Sequence, residues 1–251
     1  MVELSRLVSY CDNLLEKERF QDYCPNGLQI EGKSNVERLV CGVTATQALI
    51  DEAIAIKADA ILVHHGFFWK GENPCISGMK KNRIQALLQH DISLIAYHLP
   101  LDAHPVYGNN AYLARRLNIS VEGTFGDTKP PIGLYGKLAE PMEVAELSLL
   151  IHNQLDRLPL HIGGTSKTIH SLAWCSGAAQ NYIEQAATLG VDAFISGEIS
   201  EQTVHIAREM GIHYFAAGHH ATETGGVMAM AQHLGEEFEL DSQFINIQNP
   251  V

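Results

Sequence analysis

Residues 45–61, ATQALIDEAIAIKADAI, and residues 178–194, AAQNYIEQAATLGVDAF, align without a gap. Ala45, Gln47, Ile50, Ala53, Asp59 and Ala60 recur as Ala178, Gln180, Ile183, Ala186, Asp192 and Ala193. Each stretch reads as a helix running into a buried strand. A strand precedes each of them, VERLVCGVT (36–44) and TIHSLAWCSG (168–177). A helix and a strand follow: KNRIQALLQHD with ISLIAYHLPLD (81–102), and SEQTVHIAREMG with IHYFAAGH (200–219). Repeated β-α-β units predict an α/β fold, its sheets mixed or mostly parallel and flanked by helices. A duplication accounts for the shared residues; packing rules common to two unrelated β-α-β units are the plainer alternative.

Working outward, VELSRLVSYCDNLL (2–15) predicts a helix, and DYCPNGLQIEG (22–32) a turn followed by a short strand. The turn-rich run EGTFGDTKPPIGLYGKL (122–138) breaks the pattern and predicts a domain boundary near 122–132. Beyond it, PMEVAELSLLIHNQL (141–155) reads as a helix with Pro141 near its start, and VMAMAQHLGEEF (227–238) as another. Ser200 is a candidate N-cap for the helix at 200–211.

The 251 residues carry 17 Lys and Arg against 29 Asp and Glu, a formal charge of −12. That balance argues against broad binding to nucleic acid or anionic membrane. No apolar run approaches the roughly 20 residues that span a bilayer. The N-terminus mixes charges with apolar residues and does not read as a secretory signal. Cysteines at 11, 24, 41, 75 and 175 form no CxxC pair, as expected of reduced thiols in a cytoplasmic protein.

The chemistry gathers after strands. His64–His65 follow AILV and precede Gly66, which would let the chain turn and bring both rings to one cavity. Asp102 follows the next strand and offers an oxygen ligand, as a mixed His/Asp site for zinc, manganese or iron requires. His219 and Glu223 stand four apart, on one face if that segment is helical, and a glutamate can give one oxygen to each of two cations. His64, His65, Asp102, His219 and Glu223 are therefore the candidate ligands of two divalent metal ions. A water between the metals, its pKa lowered by both, is the expected nucleophile. His98, His220 and Glu198 are candidates for carrying its proton, and His98 could instead be a ligand or a hydrogen-bond donor behind one. No single piece is specific; this is not the HExxH pattern.

DYCPNGLQIEG, ADAILVHHGFFW, AYHLPLDAHPVYGNN and GHHATETGG resemble the signature segments of the GTP cyclohydrolase 1 type 2 homolog family, also called NGG1-interacting-factor-like. The resemblance spans nearly the whole chain. It implies two similar α/β domains facing each other across a cleft that holds two divalent metals, the first domain (1–126) completed by 236–251 and the second covering 127–235. It further implies a toroidal homohexamer, a trimer of dimers. The family ligands fall on the same five residues, His65 and Asp102 on one metal, His64 and His219 on the other, Glu223 shared. The chain is a short form, passing from Lys129–Pro131 straight into its second half.

The family name implies opening of the GTP purine ring, but no GxxxxGK[ST] loop is present. Gly163 to Lys167 would contact phosphate through backbone amides and Lys167, or form only a tight turn. Phe67, Phe68 and Trp69 would stack on a base, form a lid or make a subunit contact. Tyr107, Asn109 and Asn110 would line the cavity or cap a helix beginning near Ala111, capping being the plainer reading for the asparagines, and His104 reads as a surface residue. Three functions follow: a metal-dependent hydrolase of a nucleotide or related heterocycle, a non-catalytic metal-binding or interaction protein in a ring-shaped oligomer, and a ring-shaped nucleic-acid-associated factor, which the acidity disfavours.

Overall fold

The computed structural model describes residues 1–251. The chain opens with β1 (Val2–Glu3) and α1 (Leu4–Leu14), whose Leu4, Leu7 and Cys11 fall on one buried face. There follow β2 (Gly27–Ile30), β3 (Asn35–Val36), β4 (Arg38–Thr44), α2 (Gln47–Ala55), β5 (Ala60–His65), α3 (Gly78–Gln89), β6 (Ser93–Ala96) and α4 (Leu99–Ala103). Next come α5 (Asn109–Arg116), β7 (Ile119–Phe125), β8 (Gly133–Glu143), α6 (Val144–Leu155), β9 (Leu160–Ile162), β10 (Thr168–Cys175), α7 (Ile183–Thr188) and β11 (Ala193–Ser196). The chain ends with α8 (Glu201–Met210), β12 (His213–Ala216), α9 (His219–Phe238) and β13 (Asp241–Phe244). No helix is long and apolar enough to cross a membrane.

Two units result, one of Met1–Leu101 with Gly226–Ile247, the other of Asp102–Gly225 with Gln248–Val251. The first is built on a five-stranded sheet in the order β13-β4-β5-β6-β2. Its strands β13, β4, β5 and β6 are parallel and β2 is antiparallel. Val40, Ile61, Val63 and Leu94 pack against Leu49, Ile50 and Ala53 of α2 and Leu87 of α3. Each fully buried Leu or Ile there contributes about 1.5–3 kcal/mol. Thr46 caps α2, its hydroxyl accepting from Leu49 N at 3.2 Å.

The second unit is built on a six-stranded sheet in the order β7-β8-β10-β11-β12-β9. Leu172, Trp174, Ile195 and Phe215 pack with Leu147 and Ile151 of α6. Ser200 caps α8 in a reciprocal box with Thr203, and Gly211 ends that helix at φ 70°.

The two sheets have four strands in a common arrangement. β4-β5-β6-β2 and β10-β11-β12-β9 have the same order and the same strand directions. Their registers match as well: Leu39 pairs Ala60 as Leu172 pairs Ala193, and Ala60 pairs Ser93 as Ala193 pairs His213. The protein is therefore an α/β fold of two similar units, as the gapless alignment predicts.

Some boundaries differ from the sequence reading. The turn-rich run 122–138 is largely a hairpin: β7 pairs β8, and β8 pairs β10, so Asp102–Gly225 belongs with the second unit. Pro141 lies in β8, ahead of α6, because the backbone stays extended to Glu143, which caps the helix with Glu146. Gly108, not an asparagine, is the N-cap of α5. The helix expected from 227 starts at His219.

Candidate metal centre

In the first unit, β5 ends in the histidine pair. Neighbouring strand residues point to opposite faces, yet the His64 and His65 ring centroids are 4.6 Å apart, because His65 is the last residue of the strand. Gly66 is required for close approach: a Cβ there would stand 2.2 Å from Gln29 Oε1 and 2.7 Å from Ala96 Cβ. His98, just beyond β6, joins them, its ring 5.0 Å from His64 and 5.7 Å from His65. One ring nitrogen from each of the three lies within 4.8 Å of the others.

Each of these rings is held through Nδ1. His64 Nδ1 donates to Tyr97 O at 3.0 Å, since a carbonyl can only accept. His65 Nδ1 is 3.1 Å from Thr44 Oγ1. His98 Nδ1 lies 2.7 Å from Asp22 Oδ1. Asp22 also takes Asn26 Nδ2 at 2.9 Å and Leu99 N at 2.9 Å. Burial pushes the Asp22 carboxyl up, but the bonds from His98, Asn26 and Leu99 outweigh it and hold the group below its ordinary value.

In the second unit, Asp102 and Glu223 are buried carboxylates. Such groups cost several kcal/mol unless they are bonded. Asp102 Oδ1 accepts from Asn109 Nδ2 and from Ser176 Oγ, both at 2.8 Å. Asn110 completes this frame: its Nδ2 donates to Asp102 O and Ile132 O, and its Oδ1 accepts from Ser176 N at 2.9 Å. His219 and Glu223 share one face of the first turn of α9, with Nε2 to Oε1 at 3.2 Å. His219 Nδ1 lies 2.7 Å from Glu198 Oε1. Burial pulls the His219 pKa down, but the bonds and charges of Glu223 and Glu198 dominate and raise it to about 9.

Gly177 backs this pair. It sits at φ 65°, where a Cβ would stand 2.3 Å from Glu223 Oε1. Its N–H donates to Thr222 Oγ1 at 3.0 Å.

The other predicted residues fall as follows. Glu198 orients His219, so its Oε1 is engaged in holding a ring. His220 is half-buried in α9, and its backbone N–H donates to Val251 O at 3.0 Å. His104 Nδ1 accepts from Val106 N and Tyr107 N, which makes it a turn former. In the 163–167 segment Gly164 N donates to His213 Nδ1 and Thr165 N to Gly211 O, so those amides are committed within the fold. Asp22, Tyr97, Thr44, Ser176 and Gly177 escape the sequence reading. Asn109, expected as a cap, instead holds Asp102. The only local signal for any of them is the DYCPNG turn around Asp22.

The donor chemistry fits divalent cations. Metal-bound histidines commonly give their second ring nitrogen to a carboxylate, carbonyl or hydroxyl, which fixes the ring and leaves Nε2 for the metal. His64, His65, His98 and His219 all show that pattern at Nδ1. Fold and donors together define an α/β protein of two similar units with the potential for one or two metal-binding sites. The chain belongs to the Duf34/NIF3 (NGG1p interacting factor 3) family, matched over residues 2–250.

Among its relatives, the GTP cyclohydrolase 1 type 2 homolog of Pseudomonas aeruginosa is 54% identical over 250 residues, covering 99% of each chain. The homolog of the same name in Escherichia coli K12 is 51% identical, covering 99% of this chain and 98% of that one. A solved structure described as protein ybgI, of unknown function, aligns with TM-score 0.97 at 49% identity over all of both chains. TTHA1606 from Thermus thermophilus aligns with TM-score 0.89 at 32% identity, covering 100% of this chain and 99% of that one.

Proposed function

We propose that His64, His65, Asp102, His219 and Glu223 hold two divalent cations, Glu223 serving both, and that the protein is a metal-dependent hydrolase of a nucleotide or related heterocycle. The observation that carries this reading is the shared Nδ1 anchoring of His64, His65 and His219, which makes Nε2 the candidate metal-binding atom of each ring. Bound there, two cations supply Lewis acidity and a water acidified enough to attack at neutral pH.

The chain's own residues do the rest. Asn109 and Ser176 fix Asp102 through Oδ1. Glu198 fixes His219 through Nδ1. His98, held by Asp22, is the side chain suited to hold or pass a proton at Nε2. His220, next to His219 on α9, is the second candidate for that task.

A homohexamer built as a trimer of dimers, and a cytoplasmic location, belong to the same proposal through family membership. Sedimentation of the untagged chain tests the assembly.

Activity is tested by loading the chain separately with zinc, manganese and iron and following consumption of a nucleotide panel that includes GTP. Turnover that needs metal and is lost in Glu223→Gln supports the hydrolase. Two bound metals with no turnover of any panel member moves the reading to a non-catalytic metal-binding protein.

A further inference from the structure

The loop after β5 has no counterpart in the second unit. Residues 66–77 separate β5 from α3, whereas residues 197–200 suffice between β11 and α8. Long loops on a rigid scaffold are where binding residues concentrate.

The loop is rigidly built, and its stiffness aims one ring. Trp69 Nε1 donates to Gly66 O at 3.2 Å and its backbone N to Glu72 Oε2 at 3.2 Å. Glu72 pairs with Lys80 of α3 at 3.1 Å, and the Lys80 ammonium lies 4.9 Å from the Phe68 ring centroid. Phe68 takes φ 66°, a left-handed conformation costly for an aromatic residue. The strain lets consecutive residues diverge: Phe67 is buried in the core, while Trp69 turns to the histidines.

A second loop meets the first. Lys70 N donates to Tyr23 O at 2.6 Å, so the Tyr23 and Trp69 segments are stitched together. Their rings flank His98 at centroid distances of 6.4 and 5.0 Å. Both contacts are edgewise, at 64° and 85°, and His65 is tilted against Trp69 at 57°. Tyr23 is 57% exposed and Trp69 half-buried. Aromatic rings with exposed surface can stack on a planar partner.

We propose that Trp69 and Tyr23 form a stacking subsite for a planar nitrogen heterocycle of nucleobase type beside His65 and His98. Every nucleobase has a π face, so such a platform selects planarity over side-group identity. The subsite takes its catalytic meaning from the proposed metal reading, but its occupancy is measured separately.

The chain has two tryptophans, and Trp174 is fully buried, so quenching of indole emission by a small solute reports Trp69. The metal-loaded chain is titrated with guanosine monophosphate and, as the non-aromatic control, with ribose 5-phosphate. Affinities of the variants are taken by equilibrium dialysis. The nucleotide should quench and the sugar phosphate should not. Trp69→Ala and Tyr23→Ala should each weaken nucleotide binding roughly tenfold or more, the scale of lost base stacking. Trp69→Phe, which keeps a ring, should stay within a few-fold of the parent, with metal content unchanged in all three. Equal quenching by both solutes, or unchanged affinity in Trp69→Ala, overturns the proposal. So does emission that follows protein concentration and ignores the nucleotide, which makes this face a contact between copies. Quenching by the nucleotide in a chain that binds no metal sustains the subsite and sinks the metal reading.

Discussion

Asp59 and Asp192 make the same bonds in the two units. Asp59 Oδ2 accepts from Glu37 N and Arg38 N, each at 3.0 Å; Asp192 Oδ2 accepts from His170 N at 2.9 Å and Ser171 N at 3.0 Å. Each backbone carbonyl takes the first amide of the next strand, Ser93 N or His213 N, at 3.0 Å. One aspartate thus fastens three consecutive parallel strands at the end opposite the metal-ligand candidates. Burial raises both carboxyl pKa values, but the donors outweigh it and both sit below their ordinary value.

A carboxylate whose folded pKa is depressed adds stability above its unfolded pKa of about 4. That contribution disappears as pH falls through the lower folded value. The urea midpoint of the parent chain should therefore drop steeply below about pH 4. Asp59→Asn and Asp192→Asn should each lower stability at pH 7 by about 1–3 kcal/mol and flatten the acid limb. An unchanged acid limb in both variants would contradict the assignment.

Asn109 and Ser176 hold one oxygen of Asp102. Removing a group that orients a metal ligand costs roughly 10–100-fold in affinity. Asn109→Ala and Ser176→Ala should show that loss in competition with a chelator while keeping the parent's circular dichroism. Parent-like affinity in both would remove these residues from the site.

Gly177 and Gly71 separate space from backbone strain. Both lie at positive φ, but a Cβ at Gly177 meets Glu223 Oε1 at 2.3 Å, whereas at Gly71 nothing lies within 4 Å. Gly71→Ala should cost only the strain of its backbone, about 1–3 kcal/mol, and keep full metal content. Gly177→Ala should bear a similar strain and also lose metal, read by elemental analysis of the dialysed protein.

Much of the fold is legible in the sequence because duplication repeats local patterns. The offset that pairs Asp59 with Asp192 also pairs Leu39 with Leu172 and Ala60 with Ala193, as the strand registers do. His64–His65 are legible because a buried strand that ends in two histidines is unusual. Residues that tune those ligands carry no such local mark. Ser176 meets Asp102 from 74 positions away, and Asp22 meets His98 from 76. The β7–β8 hairpin reads as a boundary because its Gly and Pro residues mark turns, while the pairing that keeps 119–143 in the second sheet is set by β10.

Everything proposed for the site rests on two cations sharing Glu223. Elemental analysis of the untagged chain and of Glu223→Gln, each loaded with zinc and dialysed, tests this most directly. The expected result is about two metals per chain in the parent and loss at both sites in the variant, beyond the loss in His65→Ala, which removes a ligand of only one metal. Two metals retained in Glu223→Gln, or none bound by the parent, would contradict it.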